Sequence, residues 1–381
     1  MRTKRPGAYR VAVRDLVLLV VGALLGVAMS AVFFQATPQP WFRRAKGRAR
    51  AKVRELAPAS GPSTWSTSGR LRIGAFQADW HAIDGDGRTS WAAPAGRIHL
   101  ASSTPCPTDP RFEDLVLAVQ HDLDRERAAG APTTYDTQGI AIANLVIRRT
   151  DDDEEIASTA EAVPCSYLQF RAKLRGLTAD DRRIAPEELI PRPGAPSTFN
   201  PFLLSHAGVA VAVVTSDHQL VLARRKPFGP RPGELDCSVV EGINLRQDRS
   251  THDRTELVAA DAMRRGLAEE LGVMPEDTAA CDVLAVGIDL DYAQWNWTGM
   301  ARLSITGEQL RAASDTASDR FENELLELVD FAPAPVLERL HGERIWACGL
   351  ATIYYSLVYS YGKRPVDREA ERISFAASSG A

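Results

Sequence analysis

The chain has 381 residues, of which 45 % are hydrophobic, enough apolar mass for two domains with cores of their own. A formal net charge of −4 selects no class of partner, although basic charge gathers near the N-terminus. The five cysteines, Cys106, Cys165, Cys237, Cys281 and Cys348, are odd in number and share no close spacing, which argues against a disulfide framework and against a structural zinc site.

Residues 1–15 form a basic flank with Arg2, Lys4, Arg5, Arg10 and Arg14. Leu16 to Phe34 follows without a single charge. A helix of this length rises about 28 Å, near the thickness of a bilayer's hydrocarbon core. The run therefore predicts one transmembrane helix. A cleaved signal peptide is the competing expectation, with Ala28-Met29-Ser30 as its small-residue cleavage site. Gly22 and Gly26 make a GxxxG spacing through which two such helices could pair as a homodimer. Residues 35–69 are a basic juxtamembrane segment and linker. Arg43, Arg44, Lys46, Arg48, Arg50, Lys52 and Arg54 outweigh the upstream charge, which places the body on the cytoplasmic side of a single-pass cell-membrane protein. The same charges suit anionic headgroups, and no nucleic-acid partner is expected.

Residues 70–200 read as a small α+β region of unknown role. Strands are expected over Leu71–Trp80, Arg97–Ala101 and Gly139–Arg148, and helices over Phe112–Ala128 and Tyr167–Leu174. Five consecutive acids, Asp151 to Glu155, suit a solvated loop better than a metal cluster.

From Val209 the pattern is that of a hairpin, Val209–Val214 and Leu220–Ala223, ending on Arg224-Arg225-Lys226. A glycine turn at Gly242 and a helix from about Thr255 follow. Leu257, Met263, Leu267 and Leu271 lie on one face of that helix, and Gly272 stands at its C-cap. Arg265 and Glu269 are one turn apart and can pair. Two carboxylates, Glu269 and Glu270, stand where the helix dipole disfavours negative charge, so a cation with oxygen ligands is a candidate to compensate them. Trp295 and Trp297 share a face of a later strand, where stacking on a base and packing in the core are both open to them. The stretch Ile345–Tyr361 closes the body as a helix, and residues 363–381 read as a flexible tail.

Arg265-Gly266-Leu267-Ala268-Glu269-Glu270-Leu271-Gly272-Val273 resembles the end of the Nudix box, Gly-x5-Glu-x7-Arg-Glu-U-x-Glu-Glu-x-Gly-U, with U aliphatic. Gly266 departs from it, standing where the family has a glutamate. The upstream half is displaced: Gly242 and Glu256 are the nearest candidates, with Gln247 to Thr255 as an insertion. The resemblance covers about residues 201–362 and implies an α/β/α sandwich around a mixed sheet. It further implies Mg²⁺ (or Mn²⁺) held by Glu269, Glu270 and an outlying acid, Glu322 or Glu324, with Arg265 in the box. Arg224 and Arg225 would take the diphosphate and Trp295 the base of a nucleoside diphosphate derivative. A membrane-tethered hydrolase of such substrates is the implied function. The loss of one box carboxylate leaves a nucleotide-binding or sensing module as the alternative, and a structural interaction domain as a third.

Overall fold

A computed structural model describes residues 70–91, 96–129, 137–149, 156–177, 206–226, 232–250, 253, 255–319 and 323–379. These all belong to one compact unit, 60–150 with 155–381. The Leu16–Phe34 run, with Gly22 and Gly26, lies outside the described residues, as does Asp151 to Glu155. Among the described residues, no helix is long and apolar enough to cross a membrane.

The architecture is mixed α/β. Its main sheet has eight strands. Six run in the order β14 (Asn323–Asp330), β8 (Gln219–Arg225), β7 (Gly208–Val214), β13 (Gln294–Leu303), β12 (Thr278–Asp289) and β3 (Trp80–Asp84). Beside this path, β10 (Val239–Gly242) pairs with β7, and β9 (Leu235–Cys237) with β8. Only β7 and β13 are parallel; the other pairs are antiparallel. Strand β7 shows why the sheet is central. Its residues GVAVAVV are buried throughout, as in strands covered on both faces. Val209, Val211 and Val213 enter one core, while Ala210 and Ala212 enter the other.

The valine face packs on helix α3 (Ala259–Leu271) through Met263, Leu267 and Leu271. The alanine face meets α6 (Ala347–Tyr361), whose residues are buried from Ala347 to Val358. Helices α4 (Gly307–Ser314) and α5 (Pro333–Leu340) flank the sheet. The last segment departs from the flexible tail expected of it. Lys363–Ser379 is a helix, α7, because Val366, Ala370 and Ile373 recur at helical spacing and are buried in the same core as α6.

The region ahead of residue 201 contributes to both sides of this body. The single strand expected over Leu71–Trp80 is instead a hairpin, β1 (Leu71–Ile73) and β2 (Phe76–Ala78), followed by β3. Gly74 turns the hairpin at φ 56°, where a Cβ would stand 2.5 Å from the carbonyl oxygen of Ala370. A second sheet, not foreseen, has the order β11 (Glu256–Val258), β4 (Arg97–Leu100), β6 (Ile156–Ser166), β5 (Gln138–Arg149). Helices α1 (Glu113–Ala128) and α2 (Tyr167–Gly176) pack together through Val119, Leu123, Leu168 and Ala172.

Candidate metal centre

Helix α3 carries the site, and its sequence explains its pose. Met263, Leu267 and Leu271 bury one stripe, and Gly272 ends the helix at φ 65°. There the Gly272 N–H reaches the carbonyl of Ala268 and the Val273 N–H that of Leu267, which satisfies carbonyls the last turn leaves open. Gly266 lies against β10. A Cβ at 266 would stand 2.6 Å from Cγ1 of Val239 and 3.2 Å from Cβ of Glu241. The side chain of Glu241 thus occupies space that a residue-266 side chain would need. A glycine inside a helix costs about 1 kcal/mol relative to alanine, and close approach to β10 offsets it.

Arg265 ties the site together. Its Nε donates to Asp248 Oδ1 at 2.8 Å and its Nη2 to Asp248 Oδ2 at 3.0 Å, a two-point grip. Nη2 also donates to the Gly242 carbonyl at 2.6 Å. Nη1 meets Glu269 Oε2 at 2.6 Å and Glu241 Oε1 at 3.2 Å. Burial works against the guanidinium's charge, but Asp248, Glu241 and Glu269 outweigh it and hold its pKa above the usual arginine value. Asp248 is 2 % exposed and also accepts the Asn244 N–H at 2.6 Å.

Three carboxylates converge beside this arginine: Glu241, Glu269 and Asp319 each offer an oxygen within 4.8 Å of the others. Asp319 arrives because its own N–H and the Ser318 hydroxyl both donate to the carbonyl of Glu269. Burial, and then the charge of Glu269, raise its pKa, with Arg265 opposing. With Asp248 the cluster holds four carboxylates against one guanidinium. Hard oxygen donors carrying excess negative charge fit Mg²⁺ or Mn²⁺.

The expected site residues divide. Arg265 and Glu269 are in the cluster. Glu270 is 4 % exposed and accepts the Val240 N–H at 3.0 Å, which joins the helix to β10; Glu241 stands in the cluster instead. Glu322 lies outside the described residues, and Glu324 is on β14. Arg224 is engaged by Glu327 and Glu343 at 3.1 and 3.2 Å. Arg225 is buried with its guanidinium 5.5 Å from the centre of the Trp346 ring. Trp295 is fully buried in the valine-face core, so core packing is the outcome and no face remains for a base. The cause is its place on β13 beside Trp297, on the side of the sheet that α3 covers.

The sequence reading missed Asp248. Gly242 and Asp248 are separated by five residues, as the box's Gly-x5-Glu requires, with aspartate for glutamate, so that signal was present. The insertion therefore falls after Asp248. Glu256 is a residue of β11 and pairs with Arg97 at 3.2 Å. Nothing in local spacing marked Glu241 or Asp319.

No protein-family model matches the chain, and no curated protein does. Among solved structures it is similar to DR0079 of Deinococcus radiodurans, at 19 % identity and TM-score 0.27, over 38 % of this chain and 80 % of that one. It is also similar to RenU, a Nudix hydrolase from M. smegmatis, at 15 % identity and TM-score 0.26, over 39 % and 81 %. A MutT protein from Methanosarcina mazei Go1 matches at 12 % identity and TM-score 0.24, over 42 % and 96 %. At TM-scores this low, these likenesses decide nothing about this chain.

Proposed function

We propose that the chain is a Nudix-type hydrolase of nucleoside diphosphate-linked substrates that depends on a divalent cation and is tethered to the membrane through Leu16–Phe34. The supporting observation is the convergence of Glu241, Glu269 and Asp319 next to Arg265. In this reading Glu241 stands in for the carboxylate absent at Gly266, and the three acids hold Mg²⁺ or Mn²⁺. When bound, the ion supplies charge to polarise a diphosphate and to acidify water. Arg265 fixes the directions of Glu241 and Glu269 and remains charged while doing so.

Turnover of ADP-ribose, NAD and dinucleotide polyphosphates by the full chain in nanodiscs, with and without Mg²⁺ or Mn²⁺, tests this. Metal-dependent hydrolysis that falls at least a hundredfold in Glu269→Gln and Glu241→Gln supports the enzyme. Hydrolysis indifferent to both substitutions or to chelator refutes it. The sensing alternative is favoured by the grip of Arg265 on Glu241 and Glu269, which already neutralises part of the cluster. It calls for nucleotide binding without turnover.

A further inference from the structure

Where the two larger sheets meet, three backbones share hydrogen bonds. Ala207 N–H donates to the carbonyl of Ile140, Ile243 N–H to that of Ala207, and Leu245 N–H to that of Gln138, at 2.8–2.9 Å. His206 stands at this joint, 6 % exposed, with φ at 64°. A side-chain-bearing residue keeps that conformation only where its surroundings compensate the strain. They do so here. Its N–H donates to Cys165 Sγ at 3.2 Å, and its carbonyl accepts from Gln294 Nε2 at 2.7 Å. The imidazole stacks on Phe170 at 5.3 Å and 28° and meets the edge of Tyr167 at 5.2 Å and 67°, both residues of α2.

The ring also lies on two glycines. A Cβ at Gly139 would stand 2.6 Å from its Cδ2, and a Cβ at Gly242 would collide with its Cε1. Its Nε2 is buried with no hydrogen-bond partner among the described residues. Burial, then the charges of Lys173 and Arg265, lower its pKa to about 4, and the ring that fills the joint is neutral. Gly242, pressed by this ring, is the residue whose carbonyl receives Arg265.

We propose that His206 is a positioning residue for the candidate metal centre: its ring sets the place of Gly242, so that the Gly242 carbonyl meets Arg265 and Arg265 in turn orients Glu241 and Glu269. The link to a metal rests on the function proposed above, while the link from His206 to Arg265 is purely geometric. The two are tested apart in the full chain. Exchange of the Arg265 Nη2 protons, followed by nitrogen-resolved NMR, reads the geometric link. Mn²⁺ binding, followed by the paramagnetic resonance of the free ion, reads the metal link.

His206→Ala should speed Nη2–H exchange at least threefold and weaken Mn²⁺ binding, whereas His206→Phe should hold both within twofold. Gly242→Ala should speed exchange at least tenfold, and the double variant with His206→Ala should recover most of that change by making room for the new methyl group. Unchanged exchange in His206→Ala overturns the proposal, and so does a double variant no better protected than Gly242→Ala. If Gly242→Ala does not fold, the His206→Ala and His206→Phe pair decides alone. A wild-type chain that binds no Mn²⁺ overturns the metal reading, and the exchange series still judges His206.

Discussion

Arg265 makes more directed contacts than any other side chain of the candidate site, and its geometry is specific to a guanidinium. A lysine can supply the charge but not the paired grip on Asp248 together with the Gly242 carbonyl. Arg265→Lys should therefore destabilise the fold by about 3 kcal/mol, because Asp248 is left buried and poorly paired; chemical denaturation measures this. Lys173 makes a contrasting case. It is fully buried, donates to the Ala293 carbonyl at 3.2 Å and lies 5.1 Å from the Phe170 ring. Burial lowers its pKa to about 7, against the charges of Cys165, Asp289 and Cys106. Between pH 7 and the ordinary lysine value of 10.5 the unfolded chain binds a proton that the folded chain does not. Stability should thus rise with pH across that window, by roughly 1.4 kcal/mol per unit at most, and stay low beneath it. Lys173→Met should be more stable than wild type at pH 7 and lose that advantage near pH 10.5, as melting curves across pH would show. At this scale the sequence revealed the residues that share a helix. Arg265 and Glu269 are one turn apart and needed no tertiary information. Glu241 and Asp319 reach Glu269 only through strand pairing and through the tie of residues 318–319 to the end of α3, and no spacing along the chain encodes that.

Among elements, α3 was the most legible, since its apolar stripe and its glycine cap are both local signals. Gly266 was legible only as a missing ligand, whereas its contact with Val239 is a packing fact. Alanine would ordinarily improve a helix interior, yet here Gly266→Ala should cost about 1–3 kcal/mol through overpacking. In a Val239→Ala background the same substitution should cost less, and a double-mutant cycle of unfolding free energies reads the difference. Trp295 illustrates the opposite limit. Alternation placed it correctly on a strand face, but which face is covered depends on where α3 docks. The second sheet escaped notice for a related reason: its strands β4 and β5 were expected, but β11, of three residues, reads locally as the first turn of the helix that follows it, and no local pattern says which strands pair.

For the whole molecule, the two cores divided by β7 explain how the layers on its two faces stay cohesive. Helix α7 closes the second core with Val366, Ala370 and Ile373. Truncation after residue 362 should lower the melting temperature by several degrees, since three buried side chains together contribute on the order of 4 kcal/mol; differential scanning calorimetry measures it. The tether is the largest expectation drawn from sequence alone. Carbonate extraction of cells should leave the full chain with the membranes and release a chain lacking residues 1–54.

Just ahead of α3, β11 pairs with β4, and the Ala259 N–H at the start of α3 donates to the Gly96 carbonyl. An excised fragment starting at residue 201 would thus lose the partner that anchors α3. Such a piece should be recovered insoluble, while supplying residues 70–200 as a separate polypeptide in the same cell should rescue it. Anyone trimming this protein to the residues after 200 would cut through its foundation.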